Sequence, residues 1–149
     1  MTQNYGFVMM TREKWWNRFV SDHRDGKLVQ SYVQKGEAPP KDASVILFYV
    51  TKPTGQIAGW ADFIERKVGE PMDVWEEHGR ESVLRSEGEY GEFLGDWPRV
   101  SFIRFRNLHQ GTHAIPLAEA LDLLGKKRLS RKGFYVDKET AEKAIALLE

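Results

Sequence analysis

A run of basic residues near the carboxyl-terminal end is the most concentrated set of like charges in this chain. Residues 126–133 read KKRLSRKG and hold five cations and no acid. Ammonium and guanidinium groups on a loop can follow the phosphates of a nucleic acid and add salt-dependent affinity, although many basic loops are only solvated. The candidate phosphate-binding residues in this run are Lys126, Lys127, Arg128, Arg131 and Lys132.

Polar side chains also end the most apolar run of the sequence, VILFYV at residues 45–50. Tyr49, Thr51 and Lys52 offer a phenol, a hydroxyl and an ammonium, which can meet a base edge and a phosphate. Lys52 is equally suited to being a solvated turn residue. We include all three as candidate nucleic-acid contacts.

Three tryptophans are candidates for stacking on a base. Trp15 and Trp16 are adjacent on an expected helix, so their side chains point about 100° apart, and we expect one to pack on the sheet and the other to lie at its rim beside Arg18. Trp60 lies between Gly59 and an alanine, and small residues in a strand often mark the close approach of a ligand or another backbone. The alternative for each tryptophan is ordinary core packing.

Two arginines alternate along the run RVSFIRFRN at residues 99–107. The alternation predicts that Arg104 and Arg106 share one strand face with an exposed Phe102, a set that suits single-stranded RNA because guanidinium pairs with phosphate and stacks on bases. The alternative is that carboxylates of the acidic segment 62–96 neutralise both arginines.

The sequence carries no established catalytic or metal-binding motif. It has no cysteine, no H-E-x-x-H pattern and no glycine-rich phosphate loop. His109 and His113 are four residues apart, but Gly111 lies between them and the segment is typical of a turn. We predict no metal and no cofactor.

The formal net charge of zero is the sum of unequal segments. Residues 1–61 carry eight cations and five anions, residues 62–96 carry four and eleven, and residues 97–149 carry ten and six, which gives +3, −7 and +4. Local patches decide what a surface attracts, so neutrality allows selective nucleic-acid binding. With no apolar run longer than six residues, we predict a cytoplasmic chain of 149 residues that forms one domain over residues 1–149.

Short strands and short helices must position these residues. Predicted strands cover residues 4–10, 28–34, 44–51, 56–66, 99–107 and 134–136. Thr11 is expected to cap the first helix, Pro71 to open a second, Ser86 a third and Asp137 the last, and a further helix is expected from Ile115-Pro116 to Leu124. The pattern predicts an α+β fold, a small pseudo-barrel of five to six mostly antiparallel strands with three to five short peripheral helices.

The order of these elements and the segment VILFYVTKPTGQIAGWADF resemble the PUA-like superfamily, which contains PUA, ASCH, EVE and YTH domains. The similarity spans roughly residues 4–136 and is greatest to an uncharacterised stand-alone archaeal branch. The resemblance implies a pseudo-barrel that binds RNA or a modified base in a cleft beside the central strands. The G-x-K-x-x-E-x-R signature that the ASCH branch associates with its possible catalytic residues has no counterpart in this sequence.

Three functions are therefore weighed. The first is a non-catalytic module that binds RNA or a modified nucleobase by aromatic stacking and Arg/Lys contacts. The second is a small ASCH-type hydrolase of a nucleoside or RNA, with a lysine and a carboxylate in one cleft. The third is a protein-interaction domain that docks a basic partner on its acidic 62–96 face.

Overall fold

The longest apolar run of the sequence forms an inner strand of a six-stranded sheet in the computed structural model, which describes residues 4–149. The strands are β1 (Gly6–Thr11), β2 (Val29–Lys35), β3 (Val45–Val50), β4 (Gln56–Gly69), β5 (Val100–Pro116) and β6 (Phe134–Val136). The helices are α1 (Glu13–Arg24), α2 (Pro71–His78), α3 (Glu87–Leu94), α4 (Leu117–Leu124) and α5 (Lys138–Leu148), with a short 3-10 helix at Gly79–Glu81.

The strands lie in the order β2-β5-β4-β3-β1-β6. Four of the five pairings are antiparallel, and β1 pairs with β3 in parallel over its whole length. The predicted α+β class, with five to six mostly antiparallel strands and three to five short helices, is therefore confirmed for the described residues.

The two ends of the curled sheet approach each other without joining by strand pairing. The Tyr32 hydroxyl on β2 donates a hydrogen bond to the Met10 carbonyl on β1, at 3.3 Å. A side chain thus links the terminal strand β2 to the part of β1 that β6 leaves unpaired, where a closed barrel would have a backbone ladder. Parts of β1 and β2 remain free to border a cavity.

Each face of the sheet is covered by its own apolar cluster. The inner cluster, around Phe19, Phe48 and Phe105, packs under α1 and α3, and the outer cluster, around Leu47 and Ile115, packs under α4 and α5. The all-buried β3 supplies both clusters, which explains why its six residues are apolar without alternation.

Helix α1 is covered on two sides, and this corrects the expectation for its tryptophans. Trp16 packs on Phe48 of β3 at 5.3 Å between ring centroids, while Trp15 meets Phe93 of α3 edge-on at 6.3 Å. Both indoles are buried, so neither lies at an open rim. Side chains 100° apart can both be buried because the sheet covers one and α3 the other.

Bulges shift the alternation of β4. The pairing of β4 with β5 changes register three times, so Ala58 and Ala61 both belong to the inner cluster and Trp60 packs against the outer one. Trp60 is half-buried and stacks on His109 at 4.1 Å. The His109 backbone and the Trp16 ring lie against Gly59 and leave no room for a side chain. The close approach at this glycine is therefore made by the protein itself.

Strand β5 is much longer than predicted. It continues to Pro116 through His109 and His113, a segment that we expected to be a turn. Beyond Arg106 the strand has β4 as its neighbour but has left β2, so its free side accommodates polar residues. The polar residues that suggested a turn belong to a strand segment that is paired along one edge only.

Most of the expected helix boundaries are confirmed. Ser86 and Asp137 accept hydrogen bonds from the Glu89 and Thr140 N–H groups, and Pro71 is the first residue of α2. Thr11 does not cap α1, because its pairing with β3 keeps it at the end of β1, where its hydroxyl donates to the Met9 carbonyl.

The close approach at Gly59 predicts a large destabilisation by a single methyl group. A Cβ in Gly59→Ala would collide with the His109 carbonyl and lie 2.7 Å from the Trp16 ring. We expect the free energy of unfolding, measured by urea denaturation, to fall by about 3 kcal/mol or more. This is the upper end of the destabilisation that overpacking a protein core causes.

Gly91→Ala in α3 is the matched control, because no atom apart from its chain neighbours and the backbone of its own helix lies within 4 Å of the added methyl group. Alanine in an exposed helix is expected to raise the free energy of unfolding by about 0.5–1 kcal/mol. Equal effects of the two substitutions would contradict the packing described here.

Candidate functional site

A cavity of about 530 Å³ lies at the carboxyl-terminal ends of β1 and β3. Its walls are the turn after β3, helix α4 and residues 126–132, the basic loop. Eleven residues line this basic cleft: Met10, Tyr49, Thr51, Lys52, Leu117, Leu121, Lys127, Arg128, Leu129, Ser130 and Arg131.

The parallel pairing of β1 with β3 places Met10 directly beside Tyr49 at the base of the cleft. Helix α4 is held next to them because the Leu117 N–H donates to the Gly55 carbonyl in the turn after β3, at 3.1 Å. The apolar side of α4, with Leu117 and Leu121, therefore forms a wall facing that turn.

Two glycines fix the basic loop over the cleft. Gly125 ends α4 in the left-handed conformation, with φ of +66°, and turns the chain back. Gly133 has φ of +76° and lies so close to the Val8 carbonyl and the Phe7 ring that no side chain fits there. The loop between them is anchored on β1 and presents its cations to the cavity.

The charge of the cleft is one-sided. Lys52, Lys127, Arg128 and Arg131 line it, and no carboxylate does. Within residues 4–149 none of these four cations forms an ion pair. An anionic ligand would therefore meet cations that no internal acid already neutralises.

Tyr49 gives the cleft a recognition group. The residue is only 6% exposed, and across the described chain its hydroxyl has no hydrogen-bond partner. A tyrosine phenol is protonated near neutral pH and can donate a hydrogen bond, and burial raises the pKa of Tyr49 further. Thr51, partly buried at the end of the same strand, adds a second hydroxyl.

The fold is shared with solved ASCH structures from Zymomonas mobilis. The ASCH protein has a TM-score of 0.76 at 21% identity, covering 97% of this chain and 96% of that one. A serine-to-alanine variant of the Zymomonas protein gives 0.76 at 20% identity over 99% of both chains, and a tyrosine-to-phenylalanine variant gives 0.75 at 22% over 95% and 97%. The chain has an ASCH-type fold. This finding agrees with the PUA-like resemblance of the sequence, whereas no family model and no curated protein matches the chain.

The ASCH-type fold brings six of the fourteen predicted site residues to one cavity. They are Tyr49, Thr51, Lys52, Lys127, Arg128 and Arg131. Of the remaining loop cations, Lys126 lies over the Phe134 ring at 4.5 Å, and Lys132 lines a neighbouring cavity together with Arg131.

Arg18 is engaged inside the protein. Its guanidinium donates two hydrogen bonds to the Glu89 carboxylate, at 2.6 and 2.9 Å, and a third to the Val83 carbonyl. The hydrogen bonds from Arg18 lower the pKa of Glu89 to about 2. Arg18 thereby ties α1 to α3 and does not line the cleft.

Arg104 is engaged in the same way, so neutralisation by the acidic segment holds for this arginine, whereas within residues 4–149 Arg106 forms no ion pair. Arg104 pairs with Glu81 at 2.7 Å and with Glu65, both from the acidic segment. Phe102 is fully buried, so the expectation of an exposed aromatic beside the arginines is wrong. Arg106 is exposed on β5 but does not line the cleft.

Sequence reasoning missed the apolar base of the cleft and one aromatic residue near it. Met10, Leu117, Leu121 and Leu129 carry no chemistry of their own, and only the fold shows that they meet. Trp97 is 51% exposed and lines the neighbouring cavity. A tryptophan between Asp96 and Pro98, outside any periodic element, was the signal that could have identified it.

The described residues hold no group of three or more His, Asp or Glu side chains placed to bind a metal ion. None of the helices over residues 4–149 combines the length and the apolar character needed to cross a membrane.

The Arg18–Glu89 pair predicts a pH-dependent contribution to stability. Because the folded-state pKa of Glu89 lies below its ordinary value of 4.5, this contribution is complete above about pH 4.5 and is lost as the pH falls towards 2. In Glu89→Gln, the free energy of unfolding is expected to decline less steeply between pH 4.5 and 2 than in the wild type.

Glu92→Gln is the control, since Glu92 is an exposed acid on the same helix with no ion pair in the described part of the chain. It is expected to keep the wild-type slope when urea denaturation is repeated across this pH range. A Glu89→Gln slope equal to that of the wild type would show that the pair is not a stabilising contact.

Proposed function

We propose that the chain binds single-stranded RNA, or a modified nucleobase within it, in the basic cleft without catalysing a reaction. The observation that carries the proposal is a nucleotide-sized cavity with four cations, no lining carboxylate and an apolar base that holds the unpaired Tyr49 hydroxyl. This combination suits a ligand with a flat apolar part and negatively charged phosphates.

The two parts of the cleft have separate roles in this proposal. The base of the ligand lies against Met10 and Leu121, where Tyr49 and Thr51 offer hydrogen bonds to its polar edge. The phosphates lie at the rim, where Lys127, Arg128 and Arg131 contact them. The first contacts select the ligand, and the second add affinity that salt weakens.

The ASCH-type fold supports an RNA-binding type of domain. The Zymomonas ASCH protein has been studied with a tyrosine and a serine replaced singly. Residues of both types, Tyr49 and Ser130, line the cleft of this chain. The similarity to an archaeal branch and the cytoplasmic location remain predictions.

The hydrolase alternative has less support from this cavity. It requires a lysine within hydrogen-bond reach of a buried carboxylate, whereas the cleft lysines Lys52 and Lys127 are exposed and no carboxylate lines the cavity. For the protein-partner alternative, Glu65, Glu81 and Glu89 of the acidic segment are occupied by arginines of the chain itself. Such a partner remains an untested prediction.

Removal of three cleft cations tests the proposal. We expect the variant Lys127→Ala/Arg128→Ala/Arg131→Ala to bind a fluorescein-labelled single-stranded RNA at least about tenfold more weakly at low salt, a loss of about 1.4 kcal/mol. The slope of log affinity against log salt is expected to become shallower by about 2, since each single-strand phosphate contact contributes about 0.7. Fluorescence anisotropy measures both quantities.

The matched control removes three exposed cations that do not line the cleft, as Arg24→Ala/Arg80→Ala/Lys143→Ala. It carries the same change in net charge and is expected to keep most of the affinity. Equal losses in the two triple variants would mean that only overall charge matters. No binding of the wild type to any RNA pool at low salt would refute the proposal.

A further inference from the structure

A second cavity adjoins the basic cleft around the edge of β1. It has a volume of about 390 Å³ and shares Met10 and Arg131 with the cleft. Its other walls are β1, the end of β2, the loop that follows β2, and Lys132. The two cavities are therefore neighbours separated by a single pair of shared side chains.

The edge of β1 is open where the cavities meet. β6 pairs with β1 only from Gly6 to Val8, so this ladder has ended before Met9 and Met10. The Met10 carbonyl accepts the Tyr32 hydroxyl, and no strand covers the remaining edge within the described chain. A ligand can pass this edge without displacing a backbone ladder.

Trp97 gives the second cavity an aromatic surface. About half of the indole is exposed, an unusual amount for a tryptophan, and the ring lies beside Gly36. Gly36 has φ of +70°, and a Cβ there would lie 3.3 Å from the ring, so the glycine provides the space that the indole occupies. The ring is thus supported by the backbone and still accessible at the cavity.

The charge of the second cavity also suits a polyanion. Arg131, Lys132 and Lys35 line it, and its single acid, Glu37, has Arg99 within 3.5 Å. Of the two cavities, Phe7 lines only this one, whereas Met10 lines both. The two residues are three positions apart on β1, which corresponds to about 10 Å along the strand. The combined site is therefore longer than a single base.

We infer that the second cavity is a subsite for the neighbouring nucleotide, with its base stacked on Trp97 and the linking phosphate beside Arg131. This inference rests on the proposed function and extends it, because it makes the ligand a strand of at least two nucleotides rather than a free nucleoside or nucleotide. Stacking on an indole accepts every base, so any sequence preference belongs to the first cleft.

Binding of short uridine ligands to Trp97 variants tests this subsite. Titration calorimetry compares uridine monophosphate with 5′-phosphorylated diuridine and triuridine on the wild type, Trp97→Leu and Trp97→Phe. Leucine keeps apolar bulk beside Gly36 without a flat ring, and phenylalanine keeps a ring. Thermal melts establish that all three proteins are folded.

The wild type is expected to bind the dinucleotide at least about tenfold more tightly than the mononucleotide. Trp97→Leu is expected to weaken dinucleotide binding about 5- to 150-fold, the loss of one stacked base, and to leave mononucleotide binding unchanged. Trp97→Phe is expected to recover most of the dinucleotide affinity.

Two negative results have different meanings. If the protein binds RNA but has equal affinities for the mononucleotide and the dinucleotide, the subsite is overturned and the proposed function stands. The same holds if Trp97→Leu leaves the dinucleotide affinity unchanged. Absence of binding by every ligand, including longer RNA, would overturn the proposed function and the subsite with it.

Discussion

The parallel pairing of β1 with β3 is the constraint from which the cleft follows. Because the strands run the same way in register, their last residues, Thr11 and Val50, lie at one edge of the sheet. Met10 and Tyr49 are neighbours for the same reason. The close fit of Gly133 to β1 then brings the basic loop over the same edge. Residues far apart in the chain thus form one cavity because strand pairing and one close-packed glycine place them together.

Internal ion pairs determine which charges remain for a ligand. The acidic segment 62–96 supplies Glu65 and Glu81 to Arg104 and Glu89 to Arg18. Burial by itself would raise the pKa of Glu81, but hydrogen bonds from Arg104, Ser31 and His78 hold it below its ordinary value. The two arginines serve tertiary structure, and the cations of the cleft are left without internal acids. The zero net charge therefore conceals one basic site.

Local sequence signals predicted the elements well where each signal has one physical meaning. The unbroken apolar run of β3, the caps Ser86 and Asp137 and the end of α4 at Leu124 all correspond to the structure. Which residues share a face of β4 was not predictable from the sequence, since bulges between Ile57 and Gly59 and beyond change the alternation. A bulge depends on the pairing of two strands and leaves no reliable mark in either one.

The site was predictable in its polar half only. Lys127, Arg128, Tyr49 and Thr51 were visible as chemistry-bearing residues next to strand ends or turns, and the fold brings them together. The burial of Trp15 was not predictable, because it depends on α3 covering a helix that is distant in sequence. Trp97 was missed although its position between Asp96 and Pro98, outside any periodic element, was a usable signal for its exposure.

Photocrosslinking tests most directly whether the basic cleft, rather than another basic or aromatic surface, binds RNA. Single-stranded RNA containing 4-thiouridine would be irradiated with the wild-type protein and the attached residues identified by mass spectrometry. The cleft account predicts crosslinks at Tyr49, Thr51 and Lys52 and within residues 127–131, which line the cavity. Crosslinks concentrated instead at Trp60, Arg106 and His109 on the outer part of β4 and β5 would contradict it.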